Sequence, residues 1–147
     1  MEPPVFPFLE HLRRKDDEHL KLLAVFHFVF GGLAILGIGF LVLHYLILNH
    51  VMMNPETWKA PGAHPPPRQF FQAFVWFYVI MGTAFLLGGI ANILSGIFLR
   101  RKRHRTFSLV VAGIDCIQIP FGTVLGIFTI MVLSRESVRQ SYANSDP

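Results

Sequence analysis

One carboxylate and one histidine lie deep inside stretches where a chain this apolar has almost no other ionisable group. Asp115 is the sole formal charge in three apolar segments, Leu22–Leu48, Phe70–Leu99 and Thr106–Leu133. His27, Asn92 and Ser95 lie in the same segments, and a basic turn, Arg100 to Arg105, joins the second to the third. At 1.5 Å per helical residue from the basic end, His27 is about 8 Å deep, Asn92 about 10 Å and Asp115 about 14 Å. Asn92 and Asp115 are nearly equidistant from the turn, so an antiparallel hairpin sets them opposite one another. The spacing predicts a polar layer of His27, Asn92, Ser95 and Asp115, extended one turn deeper by Gln118.

An ionisable group inside a membrane-length segment is a candidate for proton or ion transfer. Kept from water, the carboxyl of Asp115 is expected in its neutral form, able to donate a hydrogen bond. The other reading is polar glue between helices, worth about 0.6 kcal/mol per bond. A transporter would usually add further charges, broken helices and an internal repeat, and the sequence shows no repeat. Glue is therefore the expectation, with a small channel or proton-conducting protein as the alternative.

A second constellation gathers His44, His50, Met52, Met53 and His64 at the opposite end of the segments. Imidazole with thioether suits copper, Cu(I) above all, but the spacing matches no strong motif. Bis-histidine haem ligation would need His27 or His44 from two subunits. Interfacial histidines and gap-filling methionines explain the same residues, so metal or haem stays a second alternative. Ser95, Ser108 and Cys116 form no Gly-x-Ser-x-Gly or Cys–His arrangement, and no glycine loop suits a phosphate. The single cysteine excludes a disulfide framework within the chain and a thiolate metal site. No enzymatic activity and no cofactor are expected.

The elements that must position these residues are membrane helices. Of 147 residues, 52% are hydrophobic and only 15% charged, against about 25% charged in soluble domains. Mean hydropathy is +0.48, and apolar runs beyond about 18 residues read as transmembrane helices. The pI of 9.6 does not imply nucleic acid. Its basic residues, Arg13, Arg14, Lys15, Lys21, Arg100, Arg101, Lys102, Arg103 and Arg105, flank apolar segments, where they set topology and meet anionic headgroups. The positive-inside rule puts the N-terminus and the basic turn in the cytoplasm.

In chain order, residues 1–20 form a tail whose later part is expected as a short amphipathic helix, with Asp16, Asp17 and Glu18 on a solvated face. The apolar run that follows is too long for a signal peptide. The first span, 22–48, concentrates Gly31, Gly32, Gly37 and Gly39 at its centre. Residues 49–69 are an outer loop, expected extended because it carries Pro55, Pro61, Pro65, Pro66 and Pro67. The second span, 70–99, opens with an aromatic belt. It then spaces Ala84, Gly88, Asn92 and Gly96 four apart, a stripe expected to be the main packing seam. In the segment 106–133, Pro120 is followed by Gly122-x-x-x-Gly126. It reads either as one span kinked at Pro120 or as a re-entrant hairpin turning there, which protein must cover. The kinked span is the expectation, although it sends the tail 134–147, with Arg135 and Arg139, to the outer side.

The stretch Gly88 to Val138 carries an Arg-rich turn followed by Pro120-x-Gly-Thr-x-Leu-Gly-Ile-x-Thr129. In this it resembles the C-terminal part of small, uncharacterised bacterial membrane proteins. The resemblance implies a shared helical membrane fold in a bacterial inner membrane and no particular activity. All together, the sequence leads to an all-α integral membrane protein of three spans. Its expected role is that of a small subunit packing with itself or with a larger membrane complex.

Overall fold

The computed structural model describes residues 7–59, 62 and 64–143, apart from the side chains of residues 7–10, 12 and 13. The proline-punctuated stretch Met1–Phe6, Pro61 of the loop and the last four residues lie outside that range. The elements of the described residues are all helical: α1 Pro7–Met53, α2 Arg68–Arg101, α3 Arg105–Asp115, α4 Phe121–Leu133 and α5 Glu136–Ala143. Among the described residues, two helices are long and apolar enough to cross a membrane, Arg14–Met53 within α1 and the whole of α2. The pair α4 and α5, bent by 71° at its break, meets the same test only jointly, so there are two candidate spans, or three if that pair is one.

Three expectations about boundaries change. The N-terminal amphipathic stretch is no separate helix, because α1 runs unbroken through it for 47 residues. At 1.5 Å per residue that is about 70 Å, more than twice a hydrocarbon core of about 30 Å, so the charged first turns of α1 extend past the apolar part. The loop after α1 is not wholly extended, since Pro55–Trp58 forms a 3-10 turn. Proline tolerates a first helical position, where its missing N–H is no loss, and Asn54 Oδ1 caps the turn by accepting from Glu56 N–H at 3.0 Å.

The third correction concerns 106–133. The segment turns at Pro120, as in the hairpin reading, and not as one kinked span. Proline has no N–H to extend α3, and the chain reverses over residues 116–120. Gln118 N–H donates to Asp115 O and Gly122 N–H to Gln118 O, both at 2.8 Å. The Thr123 hydroxyl donates to Cys116 O at 2.8 Å. α3 and α4 then run antiparallel, and Arg105 Nε at the start of α3 donates to Leu133 O at the end of α4 across 2.8 Å. The small residues make this possible. A Cβ on Gly122 would lie 2.5 Å from Asp115 O, and one on Gly126 would collide with Ala112 O and sit 2.5 Å from Cys116 Sγ.

Contacts divide the chain into two compact units, Met1–Gly31 with Ile90–Pro147, and Gly32–Gly89. The first has a core of Leu20, Leu23, Ala24, Leu99, Leu125, Val132, Leu133, Val138 and Tyr142. Asp16 and Asp17 do not form a solvated face. Asp16, buried, accepts from Arg135 at 2.9 Å and from the Ser137 hydroxyl at 2.5 Å, while Lys102 pairs with Asp17 at 2.6 Å. These ties put the tail's Arg135 at the same end as the basic turn, so the charge conflict of the kinked reading disappears. In the second unit, Tyr78 meets Tyr45 edge-on at 5.3 Å and His44 at 5.9 Å, and a Cβ on Gly37 would touch the Phe85 ring at 3.3 Å.

Candidate functional site

Within the first unit, four helices each bring a polar side chain to one buried place. α1 supplies His27, α2 supplies Asn92, α3 supplies Asp115 and α4 supplies Thr129, and none is more than 3% exposed. His27 Nδ1 lies 2.8 Å from Asn92 Oδ1, and Asn92 Nδ2 donates to Asp115 Oδ1 at 2.9 Å. An amide oxygen only accepts, so Nδ1 of the imidazole carries the proton and donates. In the neutral ring Nε2 is then an acceptor, and the Thr129 hydroxyl donates to it across 3.3 Å. Thr129, His27, Asn92 and Asp115 form a chain in which every hydrogen bond points the same way.

Two features bear on what this chain can do. Asp115 Oδ2 is buried with no hydrogen-bond partner among the described residues, and it lies 3.6 Å from His27 Nδ1. The link through Asn92 orders hydrogen bonds but is a poor conductor of protons. An amide N–H that gives up its proton must pass through an unfavourable tautomer. Transfer between the two ionisable groups would have to bypass Asn92 across that 3.6 Å gap.

Of the other residues singled out in the sequence, Ser95 is fully buried, but its hydroxyl, like that of Ser108, finds no partner among the described residues. Gln118 is exposed in the turn and does not extend the layer. The four-residue stripe of α2 is a close seam only in part. A Cβ on Gly96 would meet Ala24 O and the Phe28 ring at 3.0 Å, whereas one on Gly88 would meet nothing within 4 Å, and Ala84 is exposed. The tightest small-residue contacts are instead those of Gly122 and Gly126.

The sequence reading missed Thr129 as a partner of His27. The signal was present, since Gly122, Gly126, Thr129 and Leu133 recur at helical spacing along one face of α4, and all four are buried. Ser108, Val111, Ala112 and Asp115 trace the matching face of α3.

His44 Nδ1 lies 2.5 Å from the Tyr78 hydroxyl, His50, Met53 and His64 are exposed, and half-buried Met52 gives its carbonyl to Trp58 Nε1 at 3.1 Å. Among the described residues no group of three His, Cys, Asp or Glu side chains is arranged to hold a metal ion.

At the basic end, Arg100, Arg101 and Arg103 are exposed, Lys102 pairs with Asp17, and Arg105 joins α3 to α4. Burial pushes the Tyr142 hydroxyl of α5 up to about 12, with the Arg105 charge pulling the other way. Compared with known families, curated proteins and solved structures, the chain matches none.

Proposed function

We propose that this chain is a non-catalytic helical subunit of a bacterial inner membrane, with its N-terminus and basic turn in the cytoplasm, that assembles laterally with its own copies or with a larger membrane complex. The observation behind this reading is how little of its apolar surface the chain covers. Only 11% of the most apolar window of α1, and 6% of that of α2, is buried. Lipid can solvate such faces, but between helices in lipid it is packing and polar contacts that select partners. The buried network favours a structural role as well, because Asn92 interrupts any simple proton path while joining three helices. Native purification in mild detergent tests the proposal. It predicts a mass above one chain plus detergent, or a co-purifying membrane partner. A strictly monomeric species with no partner, also in native-lipid discs, would defeat it.

A second reading, a proton relay, draws on Asp115 Oδ2 and its 3.6 Å separation from His27 Nδ1. It predicts pH-gradient-driven flux in proteoliposomes that Asp115→Asn abolishes while the protein still folds. Orientation is tested by an impermeant outer thiol reagent, which should label His64→Cys and spare Thr106→Cys.

A further inference from the structure

At the basic end of the first unit, the close of α2, the start of α3 and α5 enclose an open-sided cavity of about 700 Å³. That is within the range of ligand sites, about 300–1,000 Å³. Its walls divide by chemistry. Leu94, Phe98 and Phe107 make an apolar side, with the two phenylalanine rings edge-on at 5.3 Å. Arg105 and Arg139 make a cationic side, and none of the described residues lining the cavity is acidic.

The nearby carboxylates are engaged elsewhere, Asp16 by Arg135 and Asp17 by Lys102. Glu136 reaches Arg139 only at 3.8 Å, with both side chains about two-thirds exposed, a pairing worth little in water. Arg105 is held by its Nε bond to Leu133 O. Its two terminal nitrogens make no hydrogen bond or ion pair among the described residues, so the guanidinium presents a fixed fork suited to phosphate. Tyr142, 6% exposed, lines the same cavity, and its hydroxyl has no partner among the described residues. Buried donors without partners are rare, and this one lies where a ligand in the cavity could accept from it.

The geometry points to a binding site for an anionic diacyl phospholipid, its phosphodiester on Arg105 and Arg139 and the start of an acyl chain along Leu94, Phe98 and Phe107. The apolar wall argues for a lipid over free phosphate, because an ion would use only the cationic side. Basic clefts between helices at the cytoplasmic surface are suited to this class of ligand. The site does not depend on the packing role proposed above.

The test is native mass spectrometry of the full chain released from discs of equimolar phosphatidylglycerol and phosphatidylcholine. The site predicts preferential retention of phosphatidylglycerol, falling about five-fold with Arg139→Gln and again with Arg105→Gln. Arg100→Gln and Arg101→Gln, exposed and outside the cavity, should leave the preference in place. Ala143→Trp fills the cavity without changing its charge and should also abolish retention. If Arg105→Gln fails to fold, Arg139→Gln and Ala143→Trp decide the matter by themselves. Equal losses from Arg100→Gln and Arg139→Gln would mean general surface attraction and overturn the site. So would undiminished retention in Ala143→Trp, or displacement of the lipid by inorganic phosphate at matched concentration.

Discussion

In the unit made of Met1–Gly31 and Ile90–Pro147, helices meet through the His27–Asn92–Asp115–Thr129 chain, through backbone contact at Gly96, Gly122 and Gly126, and through ion pairs at Asp16 and Asp17. In the unit Gly32–Gly89 they meet through rings, Tyr78 against Tyr45 and His44, and Phe85 over Gly37. Lipid tails are as apolar as leucine, so apolar burial selects no partner helix there. The first unit gets its selectivity from directional bonds and from contacts that only small residues permit. The second has a directional bond between His44 and Tyr78 and otherwise meets through aromatic rings that are partly exposed.

The comparison breaks most visibly at glycine. Gly126→Ala should cost at or above the upper end of about 1–3 kcal/mol, because the new methyl meets backbone and sulfur in α3. The matched change Gly39→Ala in the other unit, where a Cβ meets nothing within 4 Å, should be neutral or gain up to about 1 kcal/mol of helix propensity. Thermal unfolding of both variants in one detergent checks this, and equal effects would erase the distinction.

Removal of the network's acceptor comes next. Asp115→Leu takes the acceptor from Asn92 Nδ2 and should cost about 1–3 kcal/mol. Asp115→Asn keeps an oxygen there and should stay within about 1 kcal/mol of the parent if the residue is glue. The same unfolding assay separates them, and an equal cost for both would place the value of Asp115 in its charge.

A smaller effect should appear in alkali. Burial raises the Tyr142 hydroxyl from 10.0 to about 12, so the folded state holds its proton where the unfolded chain has lost it. Its contribution to stability is complete below pH 10 and is lost as pH climbs toward 12. Tyr142→Phe should remove that part of the decline, and an unchanged alkaline limb would show that the hydroxyl is not buried. The least costly change is Tyr78→Phe in the ring-held unit. It deletes one exposed bond to His44 and should cost no more than about 1 kcal/mol.

The long apolar helices were legible in the sequence because hydropathy over 20 residues leaves few alternatives. Asn92 could be set opposite Asp115 because a short basic turn fixes register, and helical rise then places residues by counting. What was not legible turned on choices of similar energy. A proline followed by glycine permits a kink or a reversal, and only the fit of Gly122 and Gly126 against α3 decides for reversal. Once the chain reverses, Thr129 comes to His27 and Arg135 to Asp16, neither of which a kinked span allows. The Ala84–Gly96 stripe is closely packed at Asn92 and Gly96 and open at Ala84 and Gly88, because four-residue spacing names a face of a helix and not what lies against it.

The hairpin at Pro120 is the claim on which the network, the ion pairs and the lipid site all depend. It is tested by single cysteines introduced as Thr106→Cys and Ser134→Cys in a Cys116→Ser background, in sealed vesicles of known orientation, with an impermeant maleimide. A hairpin predicts that both positions are labelled from the same side and neither from the other. Labelling of 106 and 134 from opposite sides would mean that the segment crosses the membrane as one kinked span, and would contradict the account.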